Sequence, residues 1–366
     1  MKPRPKSMHL LVDISAHGLG HLAQTAPVID ALQSLAPGLL RLTVRSALPR
    51  HRLARRIVAD HAHVMEARDF GIVMHSAVDV DLVASARQYR QFHFDWPQRV
   101  VAEAEWLRHH RVDAVLSNVA YLPLAAAAHA GIPAVGLCSL NWADLFAHYF
   151  GGQSWAGEIH SQILAAYNAA QGFLRATPGL PMAGLIHRHD VAPIARIGRR
   201  DRTRLARLLD IEEDQRWVLL GMGGMEFPLP IEDWPRTPGL VWLVPGEQYV
   251  ARDDVRNFAV AELNFSDLLA GVDVVVTKPG YGTFVEAACA GIPILYLERN
   301  DWPETPHFES WLAQHARARV LSRQRLLAGD FIDELQRLWQ IPAQQPPQAN
   351  GADQAARWLA KEFGLG

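Results

Sequence analysis

Apolar positions along this chain gather into short aliphatic and β-branched runs, and longer stretches with helical spacing separate them. Residues 8–14 (MHLLVDI) read as a buried strand, and 22–35 carry apolar side chains along one helix face. The alternation continues with a strand at 39–45, a basic helix at 50–59 and weaker strand signals at 62–65 and 72–74. A long amphipathic helix is expected over 84–110 with a break at Pro97, because proline interrupts the helical hydrogen-bond ladder. Strands at 113–117, 133–138 and 173–176 are separated by helices at 122–130, 142–149 and 156–170.

Residues 178–198 are rich in Pro, Gly and His with little periodicity, so a domain boundary falls there. Beyond it the alternation restarts with a helix at 200–209, strands at 217–221, 240–244 and 257–260, and a short helix at 265–269. Buried strands at 272–277 and 293–297 flank a helix over 283–290, with Thr283 as its expected N-cap. Helices at 304–315 and 323–339 flank a short strand at 318–321, and a Gln/Pro linker at 342–348 precedes a last helix at 352–363. Two successive βα arrays predict an α/β chain of two Rossmann-like, doubly wound parallel-sheet domains facing across a cleft. The expected domains are 1–190 and 191–345, followed by a terminal helical segment, 346–366.

Length fits that division: 366 residues are enough for about two cores. A formal charge of −2 gives no electrostatic case for nucleic acid. The two cysteines, Cys138 and Cys289, lie in apolar surroundings and read as buried reduced thiols. No Cys/His spacing resembles a zinc site, so no metal is expected. The first apolar run is too short and too acidic for a signal peptide, and no run reaches the roughly 20 residues of a membrane span. A cytoplasmic location is the expectation.

The segment from Asp273 to Glu286 carries the most chemistry: an apolar strand runs into Lys278-Pro279-Gly280-Tyr281-Gly282-Thr283 and then a small-residue helix. Gly280 and Gly282 permit close backbone approach, the first-turn N–H groups lie open to an anion, and Glu286 could accept hydrogen bonds from a vicinal diol. In the same half, Gly221-Met222-Gly223-Gly224 reads either as a plain turn or as a ligand loop. Asn300-Asp301 reads either as a turn or as a hydroxyl-binding pair.

The first half offers Ser15-Ala-His17-Gly-Leu-Gly-His21 at a strand–loop–helix junction. His21 could remove a proton from an acceptor hydroxyl, or both histidines could simply fix the loop. The nearest orienting partner is Asn118, at the end of the 113–117 strand, which can orient a ring but supplies no negative charge. Asn141 and Trp142 follow another strand and suit either a sugar ring or a capped core helix.

His17-Gly-Leu-Gly-His21 and Lys278 through Glu286 together resemble the two-Rossmann (GT-B) glycosyltransferases, namely lipid-linked N-acetylglucosaminyltransferases and plant-type UDP-sugar transferases. With Asp113–Asn118, Asn141–Asp144, Arg299–Asp301 and Glu304, the chain is still more similar to the transferase-like N-terminal half of plant L-arabinokinases, without the kinase half. The resemblance implies an inverting, metal-independent transfer from a nucleotide sugar, UDP-linked by analogy, that is a substrate and not a cofactor. It places Glu286 on the ribose, Gly280, Gly282 and Thr283 on the diphosphate, and Asn264 and Phe265 by the base. It makes His21 the general base with His17 beside it. It also implies a small-molecule or lipid acceptor, peripheral membrane contact in the lipid case, and a final helix that returns to the first domain. A non-catalytic nucleotide-sugar sensor and a nucleotide-sugar 2-epimerase are the alternatives, since Asn118 stands where many relatives carry aspartate.

Overall fold

A computed structural model describes residues 7–76, 78–223, 227, 229–246, 251–258 and 263–365. The chain divides into two compact units. Unit 1 holds Met1–His75, Asp79–Ile194 and Asn350–Gly366; unit 2 holds Ser76–Val78 and Ala195–Ala349.

Unit 1 runs β1 (Met8–Ile14), α1 (Leu19–Leu35), β2 (Leu40–Arg45), α2 (Arg50–Ala54) and β3 (His61–Val64). It continues α3 (Leu82–His93), α4 (Trp96–His109), β4 (Ala114–Asn118), α5 (Leu122–Ala130), β5 (Ala134–Cys138), α6 (Trp142–Phe150), α7 (Ala156–Asn168), β6 (Gly172–Ala176) and β7 (Arg188–Val191). These seven strands form one sheet in the order β3-β2-β1-β4-β5-β6-β7, and the pairs are parallel. Helices on both faces of such a sheet bury its central strands twice over, which is why β5 (AVGLC) reads as an unbroken apolar run and β4 (AVLSN) is buried at every position, its polar end included.

Unit 2 runs α8 (Arg202–Leu209), β8 (Arg216–Gly221), β9 (Leu240–Val244), β10 (Val255–Asn257), α9 (Phe265–Gly271), β11 (Val274–Thr277) and α10 (Tyr281–Cys289). It ends with β12 (Ile294–Leu297), α11 (Thr305–His315), β13 (Ala318–Leu321), α12 (Arg323–Ala328) and α13 (Ile332–Gln340). Its six strands lie in the order β10-β9-β8-β11-β12-β13, again parallel. The last helix, α14 (Gly351–Glu362), belongs to unit 1. There Gly351 N–H donates to the Pro193 carbonyl at 3.1 Å and the Gln354 amide oxygen accepts from Ala192 N–H at 2.8 Å.

Both sheets therefore have the doubly wound order, in which strand order reverses on either side of the first strand. The reversal falls between β1 and β4 in unit 1 and between β8 and β11 in unit 2. Ligand crevices open at that point, off the carboxyl ends of the strands.

Several boundaries differ from the sequence expectation. The helix expected over 84–110 is two helices that part at Phe94-Asp95, with Pro97 in the first turn of α4, where its missing N–H costs nothing. The helix expected over 323–339 divides at Gly329, which closes α12. The basic helix expected over 50–59 ends at Ala54, and the weak strand at 72–74 is a single bridge between Met74 and Val80. The expected strand at 257–260 lies partly outside the described residues; the strand seen is Val255–Asn257. β7 went unseen within 178–198 because an exposed edge strand with the sequence RHDV has no apolar alternation.

Candidate functional site

The β1/β4 switch point is built by short-range geometry. Ile14 and Asn118 are register partners, so the end of β4 lies level with the Ser15–Gly18 loop. His21, the third residue of α1, then reaches back over that loop. Its Nδ1 lies 2.8 Å from Asn118 Oδ1. An amide oxygen only accepts, so Nδ1 carries the proton and Nε2 is left as an acceptor. His21 is 6% exposed and Asn118 is fully buried. Burial pushes the imidazole pKa down to about 4, and the Asn118 hydrogen bond offsets little of that. The Cys138 Sγ lies 3.6 Å from His21 Nδ1; both cysteines are buried thiols outside any disulfide.

Trp142 opens α6, whose N-cap Asn141 accepts from Asp144 N–H at 2.8 Å. The other amide group of Asn141, its Nδ2, is buried without a partner among the described residues. Trp142 is 0% exposed. His17 packs edge-on against its indole at 5.2 Å between ring centroids, and His21 lies at 5.9 Å. The ring is thus enclosed within unit 1. Its Nε1–H donates to Asp69 Oδ2 at 2.8 Å.

Asp69 is the residue that sequence reasoning missed here. It lies on the loop after β3, and Ser15 also bonds its carboxylate. Burial pushes the carboxyl pKa up to about 6, against those two hydrogen bonds and one from its own backbone N–H. The loop is held by ions: Arg45 pairs with Asp13 at 2.6 Å and Glu103 at 2.5 Å, and Glu103 reaches Arg68 at 2.7 Å. It then passes under the indole at Gly71, with φ +62°, where an added Cβ would meet Trp142 at 2.7 Å and His17 at 2.8 Å. His17 Nε2 bonds the Ile72 carbonyl at 2.9 Å. No motif in the sequence marks Asp69; only the fold brings it to the histidine loop.

At the β8/β11 switch point of unit 2, Thr277 Oγ1 donates to the Gly221 carbonyl at 2.6 Å, tying the two strand ends together. Gly223, with φ +87°, lies where an added Cβ would meet Lys278 Cε at 3.1 Å. Phe265 lies 3.6 Å from a Cβ built on Gly221. Lys278 therefore lies beside Gly223, and Phe265 borders Gly221. Burial, and then the charge of Arg299, lower the Lys278 pKa to about 8. Arg299, missed as a site residue, is buried after β12 with its guanidinium 4.2 Å over the Trp302 ring.

Helix α10 starts earlier than expected. It spans Tyr281–Cys289 with Gly280 as an extended N-cap that makes no side-chain bond, so Thr283 is the third helical residue and not the N-cap. Gly280 has no side chain that could cap, and Tyr281, Gly282 and Thr283 occupy the first turn, whose N–H groups have no partner within the helix. Glu286 is 2% exposed, close enough to Cys289 that its charge helps to raise that thiol's pKa to about 12, after burial. Asn264 caps α9, accepting from Ser266 N–H at 3.0 Å. Asn300 and Asp301 form an exposed turn, and Asp301 reaches Arg299 at 3.5 Å. Gly224 lies outside the described residues. Among the described residues no group of three or more His, Cys, Asp or Glu side chains is placed to hold a metal ion, and no helix is long and apolar enough to cross a membrane.

This pair of Rossmann-like units is the GT-B fold, shared with solved glycosyltransferases. The chain superposes on CalG4, the calicheamicin glycosyltransferase, with a TM-score of 0.60, 15% identity, and 98% and 94% of the two chains covered. For Phytolacca americana UGT2, complexed with UDP-2fluoro-glucose and pterostilbene, the TM-score is 0.55 at 14% identity, covering 97% and 94%. In sequence, the chain is 25% identical to the L-arabinokinase of Arabidopsis thaliana over 353 residues, which is 94% of this chain but only 33% of that protein. No family model matches the chain.

Proposed function

We propose that this protein transfers a sugar from a nucleotide donor, UDP-linked in our reading, to an acceptor hydroxyl. The observation that carries the proposal is the β8/β11 switch point: Lys278 stands beside Gly223 and directly before the uncapped start of α10. The N–H groups of a helix start, a nearby ammonium and a glycine loop suit a diphosphate. In the reaction, the acceptor oxygen bonds to the anomeric carbon as the bond from that carbon to the diphosphate breaks. The electron pair leaves on the nucleoside diphosphate, whose charge Lys278 and the α10 N–H groups stabilise. Attack from the face opposite the leaving group inverts the anomeric centre. These positive groups supply the leaving-group stabilisation without a metal. Glu286 binds the ribose hydroxyls, and Phe265 borders the nucleotide. In unit 1, His21 Nε2 aligns the acceptor hydroxyl by accepting its hydrogen bond, with Asn118 fixing the tautomer.

The test incubates the protein with a panel of nucleotide sugars, with and without hydroxyl acceptors, and follows nucleotide release and glycosylated product. Acceptor-dependent release with an inverted product, unaffected by chelator, is expected. Saturable binding without release would instead favour a non-catalytic sensor, which the Asn118 amide would suit. Conversion of the donor sugar without acceptor would point to a 2-epimerase.

A further inference from the structure

Transfer to a hydroxyl requires a group to take its proton. His21 is an unpromising destination: Asn118 gives an imidazolium no counter-charge, and the ring is buried. The carboxylate of Asp69, bonded to the indole that His21 packs against, has different surroundings. Among the described residues no arginine or lysine pairs with Asp69, although Arg68 is its neighbour in sequence; Arg68 instead engages Glu66 and Glu103, at 2.7 Å each. Asp69 is held by neutral donors alone: the indole N–H of Trp142, the hydroxyl of Ser15 and its own backbone N–H.

We propose that Asp69 is the catalytic base, taking the acceptor proton on its carboxylate while His21 aligns the hydroxyl. The inference rests on the sugar-transfer reading above. Three observations carry it. The carboxylate is fixed to the same indole that both histidine rings pack against. Neutral donors orient it, whereas a salt bridge would hold it ionised and weakly basic. A carboxylate has about four acceptor positions, so these three donors still leave one for a substrate hydroxyl. The step balances: the hydroxyl proton passes to Asp69, the oxygen bonds to the anomeric carbon, and the electron pair leaves with the nucleoside diphosphate.

The groups facing Asp69 would set its titration. Asp13 on β1 raises its pKa and is itself paired with Arg45. Tyr89 on α3 and Tyr167 on α7 sense its charge and are buried phenols. With burial dominant, the carboxyl titrates at about 6 and the His21 ring at about 4. The position of the rising limb in a pH–rate profile therefore separates the two candidate bases.

The experiment measures kcat, KM and the pH profile for wild type, Asp69→Asn and His21→Gln, with UDP affinity by calorimetry as the control. An asparagine oxygen can still accept from Trp142 Nε1, so Asp69→Asn keeps the indole contact and removes only the basicity. Wild type should show a limb near pH 6. Asp69→Asn should lose about 10²–10⁴-fold in kcat together with that limb, while UDP binding is unchanged. His21→Gln should keep the limb. If the isostere folds poorly, Asp69→Ala with added formate serves instead, and rescue of turnover is expected. Wild-type-like turnover of Asp69→Asn, or a limb near pH 4 that disappears in His21→Gln, overturns the inference and leaves sugar transfer standing. A wild-type protein that transfers nothing from any donor overturns both.

Discussion

The His21 imidazole donates its Nδ1 hydrogen to the Asn118 amide oxygen at 2.8 Å, where a carboxylate would complete a charged pair. An amide fixes the same tautomer but leaves the protonated ring unstabilised. Asn118→Asp should therefore raise the His21 pKa from about 4, since an anion beside Nδ1–H favours the imidazolium. NMR titration of the His21 ring would register an upward shift of at least one unit. An unchanged titration would mean that the new carboxyl stays protonated in this buried place.

The same burial makes stability depend on pH. His21 and His93 both titrate at about 4 in the folded chain against 6.5 when unperturbed, with burial the leading cause at each. Between those values the unfolded chain binds more protons. The stabilising contribution is thus fully present above pH 6.5 and is lost as pH falls towards 4. At His21 the loss is on the order of 3 kcal/mol by pH 4. Urea unfolding at pH 7 and pH 5 should show the midpoint falling in wild type and falling less in His21→Gln.

Lys278 gives a prediction of opposite sign. Its ammonium titrates at about 8, so it is charged at neutral pH and neutral at pH 9.5. UDP affinity should decline across that interval. Lys278→Ala should weaken binding roughly 10–100-fold, corresponding to one charge-assisted hydrogen bond, and should flatten the pH dependence. Calorimetry reads both. Gly223→Ala should weaken binding by a related route, because its φ of +87° disfavours a side chain and the new Cβ would crowd Lys278 at 3.1 Å.

These elements show which parts of the structure the sequence could disclose. The central strands of both sheets were legible because strands buried on two faces, such as β12 with ILYL and the Val274–Val276 run of β11, are dominated by apolar residues. That the glycine loop and Lys278 share one domain was legible too, since each follows an apolar strand of the second βα array. Asp69 was not. It follows a half-exposed strand on an irregular loop, and its role depends on Trp142, which is 73 residues away in sequence. Arg299 was similarly hidden, because nothing local separates a buried arginine from a solvated one. The start of α10 was misplaced because Thr283 is a better side-chain cap than Gly280, yet the chain caps that helix with no side chain at all.

Gly71 tests whether the loop carrying Asp69 must lie close against the indole. Its φ of +62° is a conformation that side chains avoid, and an added Cβ would approach Trp142 at 2.7 Å and His17 at 2.8 Å. Two rigid rings cannot yield by that much without moving the loop, so Gly71→Ala should cost about 1–3 kcal/mol as overpacking. Any displacement would fall on the loop that holds Asp69, two residues earlier, and on His17. Acceptor turnover should then fall with the unfolding midpoint, while UDP affinity, assigned to unit 2, stays unchanged. Gly18→Ala is the matched control: its φ of −178° is ordinary extended backbone, and nothing lies within 4 Å of an added Cβ. A Gly71→Ala protein as stable as the Gly18→Ala control would show that the loop can move off the indole freely, and the close packing of Asp69, Trp142 and His17 would then be dispensable.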